Sequence, residues 1–145
     1  MIILIPNIDI LTSPIESKEY PNRTYKAVFS NVNFNKNDVY KNRINGYTDD
    51  LDALKQTIYL ILNTERYKFP IYSWDYGVEL YNLFGKPMPY VLSELPRRIK
   101  DALLVDNRIT DVTDFEFEQN GKKLLVKFTV ISKIGNISSE VEVTI

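Results

Sequence analysis

A two-residue alternation through the last third of the chain constrains its fold more than any other feature. Phe115 and Phe117 alternate with Glu116 and Glu118. Leu124, Val126, Phe128 and Val130 alternate with Leu125, Lys127 and Thr129, and Val141, Val143 and Ile145 with Glu140, Glu142 and Thr144. Successive strand residues point to opposite faces, so each run predicts a strand with one apolar face. Asn120-Gly121 tolerates the positive φ of a tight hairpin turn, and Gly135-Asn136 is a plausible second turn. The three runs read as an antiparallel meander. Lys123 and Lys127 on the run between two acidic ones favour it as the central strand, because acid then never sits beside acid.

The apolar face of such a sheet must be covered, and the middle of the chain supplies helices to cover it. Leu51, Leu54, Ile58, Ile61 and Leu62 recur at helical spacing after a start capped by Thr48 or Asp49. Asp49, Asp50 and Asp52 put negative charge where the helix dipole favours it, and the helix should end near Asn63 or Thr64. A short second helix is expected over residues 75–84, capped by Ser73 or Asp75 and stopped by Gly85. A third is expected over about residues 89–105, with Val91, Leu95, Ile99 and Ala102 on one face and Leu103 widening it. Pro96 falls inside it. Either the helix kinks there or two helices meet, and the continuing period favours a kink. The fold class is therefore α+β: a three-stranded C-terminal meander packed against about three helices. The chain reads as a single domain, 1–145. Residues 44–145 form its helical and sheet core, and residues 1–43, with three prolines and an Asn/Lys-rich stretch, form an extended arm or mobile loop holding one strand near 24–29.

Composition excludes several kinds of chemistry. There is no cysteine and no histidine, so disulfides, thiolate nucleophiles and imidazole acid–base or metal chemistry are ruled out. The net charge of −1 gives no general attraction to nucleic acid or anionic membranes. The cluster Arg97-Arg98-x-Lys100 is balanced by Glu94 and Asp101 and reads as a solvated face. The glycines form no phosphate-binding fingerprint, and Asp101, Asp106, Asp111 and Asp114 lack calcium-loop spacing. No cofactor, metal site or small-molecule substrate is expected. The apolar stretch at residues 1–5 stops at Pro6 without a basic leader, so an intracellular protein is expected. Glu65, Asp75 and Glu79 lie among aromatics and could be read as a glycan hydrolase's acid–base pair. Caps and ion pairs are the simpler account. The density of Tyr and Trp between residues 67 and 81 suits a contact surface instead.

Three stretches together resemble a known family: Asp52-Ala53-Leu54-Lys55-Gln56, Ile61-Leu62-Asn63-Thr64-Glu65-Arg66-Tyr67 and Pro70-Ile71-Tyr72-Ser73-Trp74-x-Tyr76-Gly77. The similarity continues through Leu83-Phe84-Gly85-Lys86-Pro87 and Asp106-Asn107-Arg108-Ile109. The family is that of the small gene-25-like baseplate wedge proteins, or sheath initiators, of contractile tails, in the branch of phages and phage-like particles of Gram-positive bacteria.

The resemblance implies a non-enzymatic part that joins baseplate to sheath and starts sheath assembly. Its partners would be other baseplate wedge proteins and the sheath subunit, with tube or hub proteins as further candidates. It would be assembled in the bacterial host cytoplasm and end in the tail of the particle. A Glu-Pro-Arg motif in the family contacts the helical core bundle of the wedge. The matching positions here are Asp106, Asn107 and Arg108, with a shorter acid and no proline, and Arg108 is expected to face outward. Glu65, Arg66, Tyr72, Trp74 and Tyr76 are candidate partner contacts. Ser139, Glu140, Val141, Glu142, Val143, Thr144 and Ile145 form the strand to which sheath strands would add. A general interaction module of another tail or secretion assembly is the alternative reading.

Overall fold

The computed structural model describes residues 21–28 and 43–144. Most of the expected N-terminal arm, and Ile145, lie outside them. In chain order the elements are β1 (Arg23–Val28), β2 (Arg43–Asp49), α1 (Asp50–Leu62), α2 (Met88–Leu103), β3 (Ile109–Asn120), β4 (Lys123–Ser132) and β5 (Asn136–Thr144).

The C-terminal sheet is the expected meander, with antiparallel order β3-β4-β5 and the lysine strand in the centre. Its inner face carries Val112, Leu124, Val126, Phe128, Val130, Ile137 and Val143, all buried. Both helices lie in the same core. α1 contributes Leu54, Ile58, Ile61 and Leu62, and α2 contributes Val91, Leu95, Ile99, Ala102 and Leu103. α2 runs unbroken through Pro96. Proline removes one backbone donor, but the apolar stripe on either side packs on one sheet and holds the helix together.

The mixed α+β class stands, but the structure has two α-helices rather than about three. The segment expected to be a second helix, residues 75–84, holds only a 3-10 turn at Tyr81–Leu83. Gly77 at φ 96° sits inside it, outside helical geometry. The amides of Leu80 and Tyr81 are taken by the Glu65 carboxylate instead of by a preceding turn.

β3 also starts earlier than the alternation suggested. Register shifts between Ile109 and Asp111, and between Thr113 and Glu116, change the phase of the strand. Asp114 at φ 56° lies in the second shift. The hairpin into β4 turns on Gly121 and Lys122, with only Gly121 at positive φ, the II′ arrangement that takes glycine first.

β1 and β2 pair as a separate antiparallel ribbon. The Gln56 side chain of α1 fastens it. Its amide donates to the Tyr25 carbonyl at 2.8 Å, and its carbonyl oxygen accepts from the Ala27 amide at 2.9 Å. Of the two expected caps, Asp49, the last residue of β2, holds the N-cap position of α1 but makes no side-chain cap hydrogen bond, and Thr48 lies one residue earlier in β2.

Candidate functional site

The residues singled out by the sequence fall into three places. The first is the turn from α2 into β3. Asp106 and Arg108 are both buried there, at 3% and 8% exposure. The guanidinium grips the carboxylate with two arms, Nε to Oδ1 at 2.9 Å and Nη2 to Oδ2 at 2.6 Å. Nη1 donates to the Pro21 carbonyl at 2.9 Å, and Nη2 to the Thr57 hydroxyl of α1 at 3.2 Å. The backbone closes the turn, with Ile109 N donating to Asp106 O at 2.9 Å. The expectation that Arg108 faces outward is corrected: its donors are consumed inside the protein. A buried charge needs a partner and hydrogen bonds, and a planar fork provides for both. Asn107 is half-buried between the two.

The second place is the segment between the helices. A parallel bridge between Glu65 and Val78 pinches its neck, with Arg66 N donating to Val78 O at 3.1 Å and Val78 N to Thr64 O at 3.0 Å. Arg66 adds Nε to Gly77 O at 3.1 Å and faces Glu79 at 3.6 Å. Arg98 of α2 holds the Glu79 carbonyl at 2.8 Å. A Cβ on Gly77 would lie 2.5 Å from the Thr64 carbonyl oxygen, so the neck closes only around glycine. Glu65 and Arg66 are thus neck residues. The aromatics belong to the loop they hold out. Trp74 is 83% exposed and Ile71 87%, with Tyr67, Phe69 and Tyr72 also exposed. Tyr72 stacks on half-buried Tyr76 at 4.6 Å, and Trp74 lies 6.2 Å from Tyr67. Two of the three acids of the hydrolase reading have partners at the neck. Glu65 accepts the Leu80 and Tyr81 amides, and Glu79 faces Arg66.

The third place is the outer edge of β5. Ser132 N donates to Gly135 O at the closing turn, and the β4–β5 ladder continues without a register shift. Alternation along a regular antiparallel ladder then gives the inward bonds to Ile137, Ser139, Val141 and Val143. Ser138, Glu140 and Glu142 turn their N–H and C=O groups to the open edge. Val143 is buried and Val141 half-buried, so the core-facing side of the strand is as expected. A groove of about 420 Å³ runs beside this edge. Lys55, Ile58, Tyr59 and Leu62 of α1, with Asn63 just after it, form one wall, and residues 138–142 the other. β3, the opposite edge, is bulged twice, and Lys100 bridges to its Asp111 at 2.6 Å. Bulges and charges blunt an edge, so β5 is the more open of the two.

Where titration is perturbed, the shift reinforces the ordinary charge. A hydrogen bond from Lys100 holds the Asp111 carboxyl below the usual range, and one from Arg97 does the same for Glu94. Hydrogen bonding to Glu118 raises Lys127, and hydrogen bonding to Tyr81 raises Lys68. The basic run on α2 is matched by acids, Arg97 with Glu94 at 2.6 Å and Asp101 at 3.2 Å. Sequence reasoning missed β2, the Gln56 clamp and the groove. Gln56 lies inside one of the family-like motifs, and that was the one available signal for the clamp.

Comparison with known proteins identifies the family. The family model of contractile injection system sheath initiators matches residues 30–135. The chain is 33% identical over 141 residues to phage-like element PBSX protein XkdS of Bacillus subtilis (strain 168), with 94% of each chain covered.

Proposed function

The chain belongs to the contractile injection system sheath initiator family, a structural family of phage and phage-like tails, and on that premise we propose that it links the baseplate to the sheath and starts sheath assembly. One observation carries the reading: the unbulged β5 edge, with its outward backbone groups at Ser138, Glu140 and Glu142 and a groove alongside. Strand addition to such an edge gains several backbone hydrogen bonds together, each worth roughly 0.5–1.5 kcal/mol net. A sheath subunit is the partner proposed for that edge.

Two further contacts follow on the same reading. The aromatic loop carrying Tyr72 and Trp74 meets another wedge protein, because large exposed rings suit a buried interface. The outer surface of the α2–β3 turn at Asn107 meets the helical core bundle of the wedge, and the buried pair of Asp106 and Arg108 holds the shape of that turn without touching the partner. Assembly takes place in the host cytoplasm, and the protein stays in the baseplate of the finished particle. Particles made without this chain test the proposal. Baseplates with bare tubes, restored to sheathed tails by complementation, are the expected result, and sheathed tails in its absence would overturn it.

A further inference from the structure

The edge of β5 carries information about what sits on it. On the outer face of the sheet, four acids surround two lysines. Lys123 pairs with Glu142 at 2.7 Å, and Lys127 pairs with Glu118 rather than with Glu140, its neighbour across the ladder. Among the described residues Glu140 makes no ion pair within 4 Å, and Lys127 across the ladder reaches it only as a more distant charge. Its N–H and C=O point outward, so an added antiparallel strand would place one residue directly opposite it, about 5.5 Å away between Cα atoms and on the same face. The favourable residue there is basic. The other face of the added strand meets different chemistry. Leu51 of α1 lies against Gly135 at the start of β5, and beyond it the groove opens along Ile58, Tyr59 and Leu62. Side chains entering it meet apolar surface at Ile58, Tyr59, Leu62 and Val141, with Lys55 and Asn63 beside it, and apolar ones leave water there.

We infer that the β5 edge takes an extended segment of a neighbouring tail protein in which apolar and basic side chains alternate, apolar into the α1 groove and basic against Glu140. This rests on the reading of β5 as the docking edge and adds the partner's chemistry to it.

The test is titration of the whole chain with short peptides, followed by the backbone amide signals of Ser138, Glu140 and Glu142. Alternating Val/Lys, Val/Glu and Ser/Lys peptides separate the two requirements. The Val/Lys peptide should shift those signals and bind about tenfold more tightly than either of the others. In Glu140→Lys, whose side chain is exposed, the preference should pass to Val/Glu. Equal binding of all three, no binding at millimolar peptide, or an unchanged preference in Glu140→Lys would overturn the inference. Peptide selectivity together with normal sheaths on particles whose β5 edge is blocked would leave this chemistry standing and remove the sheath as its occupant.

Discussion

Arg108 grips Asp106 two residues before it and, with the same guanidinium, holds the Pro21 carbonyl 87 positions away. The pair therefore joins the N-terminal ribbon, α1 through Thr57, and the α2–β3 turn. Arg108→Ala would leave the Asp106 carboxylate buried without its countercharge, still holding the backbone amide of residue 108. The expected loss is about 3–5 kcal/mol of stability, read by urea unfolding, with faster amide exchange in β1. Wild-type stability in this variant would show that the pair does not hold the fold.

Gly77 closes the neck of the aromatic loop. Alanine there meets both a positive φ and the Thr64 carbonyl, so Gly77→Ala should cost about 2 kcal/mol or more. Gly46 has positive φ in open space, and Gly46→Ala should cost about 1 kcal/mol. Thermal unfolding of the two variants compares them directly, and equal losses would show that the close approach is relieved by movement of the loop.

How far the fold could be read from sequence depended on whether each segment follows one period. β4 keeps its two-residue alternation from Leu124 to Val130, and α2 keeps its apolar stripe across Pro96, so both were legible. β3 changes phase at two bulges, which hid Ile109 and Val112 as strand residues. The segment from 64 to 84 has no period, because side chains hold it: Glu65 takes two backbone amides and Arg66 a carbonyl. Such contacts join residues about a dozen positions apart and leave no local pattern. For the same reason Arg108 was expected to face outward, since its bonds to Pro21 and Thr57 span 87 and 51 positions and leave no local pattern.

Trp74 should matter to assembly and not to folding. It is 83% exposed and touches little beyond Tyr67. Trp74→Ala should change stability by less than about 0.5 kcal/mol and reduce the amount of this protein recovered in purified particles. Full incorporation would remove the aromatic loop from the interface.

The central claim is that sheath subunits build on the open edge of β5. Glu142 turns its amide outward and its exposed side chain away from the core, so Glu142→Pro removes an edge donor and the exposed ion pair with Lys123 but breaks no backbone hydrogen bond to β4. The deciding measurement is electron microscopy of particles carrying Glu142→Pro, with the purified variant's circular dichroism unchanged. Baseplates bearing tubes without sheaths are the predicted result. Full-length sheathed tails would contradict the account and show that the sheath starts from another surface.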